Sequence, residues 1–342
     1  MNSNTAADTE AGRGTITTQA DALSKPSSST SSFGWGFRSV VPPTTARPKK
    51  WTKLSASYIV KDAFRLHTLL AIGAGLQAVL SAAAPKPWCF LPVAIVLGLA
   101  PTTTLVQMAL ALVSIRGRRR VHSFLADAVL GRSTAYLSAS RQSLPGQEGN
   151  CDSDRNGGLV AFHFGARFNH PLGVFAPGAR AMTRLFRATL AALDEDRAVY
   201  GLLGGDLFRG GASTRASNDT ILLVLYFRSV EGLQQFAGSK AHREAFRWLR
   251  EVTAPGENGE QRYPHLSAFH ETFVVPAGGY ETLYINTAPI LLGNTFAESM
   301  DGHGDGHGRG HEQEQRPVWV SPLVDADDAR LRTMAARLKH GR

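Results

Sequence analysis

Two uncharged apolar runs limit most strongly what this chain can become. Leu66–Ala84 (LHTLLAIGAGLQAVLSAAA) and Trp88–Ser114 (WCFLPVAIVLGLAPTTTLVQMALALVS) contain no Asp, Glu, Lys or Arg. Each is long enough to cross a hydrocarbon core about 30 Å thick. Joined by Pro85-Lys86-Pro87, they read as a two-helix transmembrane hairpin, with Pro92 and Pro101 as kinks that lipid-embedded helices tolerate. Lys49, Lys50, Lys53, Lys61 and Arg65 precede the pair and Arg116, Arg118, Arg119 and Arg120 follow it, whereas the link holds only Lys86. That bias places both ends in the cytosol, so a multi-pass protein with a cytosol-facing domain is expected, with the endoplasmic reticulum as its membrane. The competing reading is a buried hairpin inside a globular fold, since the first run is rich in Ala and Gly and holds His67 and Gln77.

The same distribution of cations accounts for the net charge of +9. No basic stretch interleaved with aromatics follows, which argues against a nucleic-acid partner. Cys89 and Cys151, one in an apolar span and one in a polar loop, provide neither a disulfide framework nor a thiolate metal site.

Outside the hairpin the chain divides by composition. Residues 1–48 are rich in Ser, Thr, Ala and Gly and are expected to be disordered. Residues 49–136 hold the hairpin and an amphipathic linker helix over Val121–Tyr136, and Ser138–Gly158 is a polar boundary loop. Residues 159–294 alternate strands and helices. Leu159–Phe164, Tyr200–Phe208, Thr220–Phe227 and the strand around His270 are separated by helices over Phe175–Leu193 and Val230–Val252. Thr220–Phe227 (TILLVLYF) is apolar on both faces and belongs in the middle of a sheet. The order β-α-β-β-α-β is the ferredoxin-like split arrangement, an α+β fold of the dimeric α/β-barrel type, here preceded by the transmembrane hairpin. Helices then cover one face only, so the second face needs a ligand or a second subunit, and a homodimer is expected. Residues 295–342 form a polar tail whose DGHGDGHGRGH tract spaces His303, His307 and His311 evenly, but in so much glycine that a disordered insertion is expected.

The most informative stretch is Ser267–Asn286 (SAFHETFVVPAGGYETLYIN). Strand alternation puts Phe269, Glu271 and Phe273 on one face and His270 and Thr272 on the other, so His270 and Glu271 cannot serve one ligand together. Glu271 as an arginine partner and His270 as an interior hydrogen-bonding histidine are the structural alternatives.

With these elements in place, Leu159–Asn294 resembles a family of fungal and bacterial monooxygenases, related to that of the fumagillin terpenoid pathway, within the antibiotic-biosynthesis monooxygenase superfamily. The resemblance is carried by GARFN at Gly165–Asn169, Met182, YGLLGG at Tyr200–Gly205, YFRS at Tyr226–Ser229, His242 in KAHREAF, and HETFVVPAGGYETLYIN at His270–Asn286. Phe227, Phe269 and Phe273 stand where the family pattern has Trp, Trp and Tyr. The resemblance implies a membrane-anchored monooxygenase that oxidises a lipophilic secondary-metabolite intermediate, terpenoid or polyketide, with dioxygen. It further implies no cofactor, because the deprotonated substrate itself reduces oxygen. Such a site needs a base, oxyanion donors and apolar walls. His163 and His270 are the candidate bases, Arg167, Asn169 and Tyr226 the donors, Phe162, Phe164 and Trp248 the walls, and Glu271 a substrate contact. Two other readings stand beside it. One is a haem enzyme similar to aldoxime dehydratase, with His270 or His242 as axial ligand; the other is a non-catalytic membrane-tethered binding module.

Overall fold

The computed structural model describes residues 36–48, 66–86, 88–116, 127–137, 158–210, 220–276, 278–299 and 318–340. Two apolar helices come first, α1 (Leu66–Ala83) and α2 (Leu91–Arg116). A strand β1 (Val129–Ala135) follows, then β2 (Leu159–Phe168), α3 (Ala179–Glu195), β3 (Leu202–Arg209), β4 (Thr220–Phe227), α4 (Val230–Ala237), α5 (Lys240–Thr253) and β5 (Leu266–Val275). The chain closes with β6 (Tyr284–Thr287), β7 (Ala297–Ser299), β8 (Val318–Val320), β9 (Leu323–Asp325) and α6 (Met334–His340).

Of the described helices, one is long and apolar enough to cross a membrane, over Trp88–Leu110; His67–Ala83 is a shorter apolar helix. Gln77, the polar residue in mid-α1, spends its amide on the Cys89 carbonyl at 2.7 Å and on Ser81 at 3.2 Å. The two helices therefore meet near their tight link.

Strands β3-β4-β2-β5 form one antiparallel sheet in that order, the strand order of the split arrangement. Even-numbered residues of β2 (Val160, Phe162, Phe164) and odd ones of β4 (Leu223, Leu225, Phe227) face the helices and make the main core with Leu190, Leu193 and Phe236. Helix α3 leans on α5, and Trp248 and Leu249 of α5 close a second core over Ala166, Phe168, Met182 and Leu266.

Four expectations are corrected. Val230–Val252 is two helices, because Gly238 ends α4 and Ser239 restarts the chain, its hydroxyl accepting from the His242 N–H at 3.3 Å. The helix expected through Val121–Tyr136 is, where described, the strand β1, which pairs with β6 and β9. The tail, expected to be polar apart from a helix-like run over Asp328–Leu338, is structured over 318–340, with Leu323, Val324 and Leu331 buried and α6 overlapping the end of that run; the His303/His307/His311 tract lies outside the described residues. The expected disorder of residues 1–48 fails over 36–48, where the backbone bridges Val324 and Trp319 and Phe37 is buried under the Arg330 guanidinium; residues 1–35 lie outside the described part. Polar composition hid these segments because each borrows its partner from the opposite end of the chain.

The β6-β1-β9 layer also covers part of the sheet's second face. Tyr226, Ala161 and Leu203 are packed beneath Leu137, Tyr280, Tyr284 and Leu292. Arg197 joins the layers: almost wholly buried, its guanidinium donates to the Leu202 and Leu203 carbonyls, lies over the Trp319 ring and stands 4.0 Å from the buried Asp194 carboxylate. Burial pulls its pKa down to about 10. Arg197→Met strands two carbonyls and a buried carboxylate, and a loss of about 3–5 kcal/mol of unfolding free energy is expected by urea denaturation in detergent.

Candidate functional site

The pairing of β2 with β5 decides how the sequence-derived residues can combine. Its register sets Phe164 opposite His270 and His163 opposite Glu271. Residues opposite one another share a face, so His270 stands on the helix side and His163 on the other. The two candidate bases lie on neighbouring strands, as expected, yet no single ligand on one face reaches both.

On the second face, His163 Nδ1 is 3.6 Å from Glu271 Oε2, and its ring lies 5.1 Å from that of Phe273. Glu271, for which an arginine partner is the structural alternative, meets His163 here, and the register puts Arg167 of the facing strand opposite Ser267, four residues away. Phe269 lays its ring on Gly165, where a Cβ would meet ring carbons at 2.2 Å; that close approach is what the glycine in GARFN permits. Glu271, Phe269 and Phe273 remain exposed, so this face is open to solvent. Tyr226, by contrast, is covered by the C-terminal layer, and burial raises its phenol to about 12. Asn169 sits just beyond β2, its N–H donating to the His265 carbonyl, and is exposed.

On the helix side a continuous aromatic wall runs from α3 across β2 to β5. Phe186 stacks on Phe164 (5.3 Å), Phe164 on Phe162 (6.1 Å), and Phe162 meets the His270 ring at 5.8 Å. In the first turn of α5, close enough to His270 to interact with it electrostatically, stands His242, with its ring 5.5 Å from Phe236 and parallel to Phe246 at 6.4 Å. The His242 Nδ1 lies 2.9 Å from the Ala237 carbonyl, which can only accept, so Nδ1 carries the proton and Nε2 is left as a bare lone pair. Burial lowers the His242 pKa below the ordinary histidine value, the Ala237 hydrogen bond opposes this, and the nearby His270 lowers it further. His242 is thus held neutral at physiological pH, with Nε2 free to accept a proton.

The two histidines and three phenylalanines form a shelf rather than a closed cavity, since His270 is exposed along its strand. Two small hollows lie elsewhere, beside Arg197 and Trp319 and beside Tyr280 and Arg337, each of water size. Trp248 walls the second core two turns along α5 from the shelf. Among the described residues, no cluster of three or more His, Cys, Asp or Glu could hold a metal. Sequence reading singled out His242 as part of a motif and as a candidate axial haem ligand, but not as a base. The signal that places it is the Gly238-Ser239 break, which makes residue 242 the third of a new helix rather than the middle of a long one.

A family model described as Monooxygenase af470-like matches residues 159–292. The Aspergillus fumigatus protein Monooxygenase af470 is 34% identical over 297 residues, covering 86% of this chain and 94% of its own. The chain belongs to the monooxygenase af470-like family. Among solved structures, an aldoxime dehydratase bound to butyraldoxime is 15% identical, covering 48% of this chain and 39% of its own, with a TM-score of 0.32. SnoaB, a cofactor-independent oxygenase from Streptomyces nogalater, is 12% identical, covering 34% of this chain and 90% of its own, with a TM-score of 0.23. Likenesses at these scores carry no argument for either chemistry, and the sheet order rests on this chain's own hydrogen bonds.

A neutral base with a depressed pKa has a defined pH signature. Because His242 is harder to protonate folded than unfolded, the unfolded state binds more protons between the depressed value and 6.5, and stability rises with pH through that window. For family activity, the acid limb of kcat/KM is expected below pH 6.5; His242→Gln should remove that limb and lower kcat by about 10²–10⁴-fold.

Proposed function

We propose that this protein is a membrane-tethered monooxygenase that oxidises a lipophilic secondary-metabolite intermediate, terpenoid or polyketide, on the shelf between α5 and β5. The observation that carries the reading is His242, a neutral imidazole with its tautomer fixed by the Ala237 carbonyl, facing His270 across an aromatic wall. In this reading the phenylalanines hold an apolar ring system, and His242 Nε2 removes a proton from a carbon activated by a neighbouring carbonyl. His270 donates a hydrogen bond to the oxyanion that develops.

The carbanion then transfers electrons to dioxygen and a C–O bond forms, giving a hydroperoxide that takes up the proton. Loss of water from the hydroperoxide converts the methylene to a carbonyl, with one oxygen atom in the product and one in water. The substrate supplies all four electrons, so no cofactor is required. A haem enzyme is the alternative, with the same Nε2 offered to iron.

Helix α2, apolar and exposed over Leu91–Leu110, supports the tether, and α1 would complete a two-span hairpin with the catalytic domain on the cytosolic side, in the endoplasmic reticulum. Exposed Phe269 and Phe273 on the second sheet face support a homodimer closed over the His163–Glu271 pair.

Detergent-purified chain supplied with the pathway intermediate is expected to consume one dioxygen per product, to place one ¹⁸O atom from labelled dioxygen in it, and to show no Soret band. Product formation without oxygen uptake defeats the oxygenase reading, and a Soret band transfers it to the haem alternative.

A further inference from the structure

The shelf has aromatic walls but no lid, and the residues around its mouth indicate what covers it. Helix α3 carries Arg180, Arg184 and Arg187 at i, i+4 and i+7; helix α5 carries Arg243, Arg247 and Arg250 at the same spacing, with Lys240 one turn ahead. The identical spacing gives each helix one basic stripe. All seven cations are exposed, and none is within ion-pair distance of a carboxylate among the described residues. The exposed acids on the two helices are Glu195, Glu244 and Glu251, so the surface stays strongly positive. Because α3 and α5 pack side by side with their apolar faces on the sheet, both stripes look outward from the same layer.

Within this basic field stands one large apolar side chain. Phe246 is 52% exposed, lies between Arg243 and Arg250 on the outer face of α5, and stacks on His242. Basic residues flanking an exposed phenylalanine match an anionic bilayer surface, with cations on lipid phosphates and carboxylates and the ring among the acyl-chain ends.

We propose that the outer face of α3 and α5 docks on anionic phospholipid, so that the bilayer itself covers the His242 shelf and the substrate enters from the lipid beside Phe246. This rests on α2 holding the chain at a membrane; it does not depend on which histidine performs the chemistry.

The test uses the full chain carrying Phe246→Cys, with Cys89 and Cys151 replaced by serine, reconstituted in nanodiscs of pure phosphatidylcholine or with about 30 % phosphatidylserine. A membrane-impermeant maleimide reads the exposure of position 246. Labelling is expected to slow about tenfold in the phosphatidylserine discs and to recover in about 0.5 M salt, where the Debye length shrinks to a few ångströms. Adding Arg184→Glu, Arg187→Glu, Arg243→Glu and Arg247→Glu should also restore it. Should that variant fail to fold, the lipid and salt arms still decide the matter. Equal labelling rates in the two discs overturn the proposal, as does protection that appears only when a cytosolic protein fraction is added. Since no turnover is measured, a negative result leaves the oxygenase reading standing; failure to enter either disc removes the tether on which both depend.

Discussion

The register between β2 and β5 governs the rest of the structure. One residue of alternation sends His270 toward the helices and His163 away from them, and ten paired positions from Leu159 to Phe168 fix that choice. A slip of β2 by a single residue would turn Phe162 and Phe164 out of the core and bring His163 to the face that His270 already occupies. The apolar set on the even positions of β2, locked against Leu190, Leu193, Phe227 and Phe236, is what prevents it. Site geometry is therefore a consequence of core packing.

The two faces differ in chemistry for the same reason. On the open face a carboxylate meets His163 among exposed phenylalanines, and the pair is bathed in water. On the helix side no carboxylate approaches His242; a carbonyl fixes its tautomer and burial suppresses its charge. His242 therefore presents a neutral imidazole with a free Nε2 lone pair, whereas His163 has a carboxylate beside it. This contrast, more than proximity to the HETF motif, separates the face suited to base chemistry from the face suited to closing against another surface.

Much of the domain was legible in its residues. The four strands and their order followed from alternation and from TILLVLYF being apolar throughout; Gly165–Phe168, which reads as a turn after Phe164, instead continues β2, and Gly165 explains itself once Phe269 is seen lying on it. What could not be read was non-local. The short strands β8 and β9 gain partners from the segment around Ser39 and Thr44 and from β1, some two hundred residues or more away in sequence, β7 pairs only with β8, and three-residue strands leave almost no periodic trace. His242 escaped for a related reason. Its tautomer depends on the Ala237 carbonyl across a helix break, and its neighbour His270 lies on a different element. The hairpin was read as two spans because both runs are uncharged, yet among the described helices one, over Trp88–Leu110, is long and apolar enough to cross, and Gln77 in the shorter helix has its amide satisfied by the turn at Cys89.

The central claim is that the histidines of the helix face carry the chemistry while His163 serves the opposite surface. Single-turnover rates for His270→Ala and His163→Ala, each at saturating substrate in the same membrane preparation, test it most directly. The account predicts a fall of about 10²-fold or more for His270→Ala and a rate within about threefold of the parent for His163→Ala. The reverse ranking would contradict it.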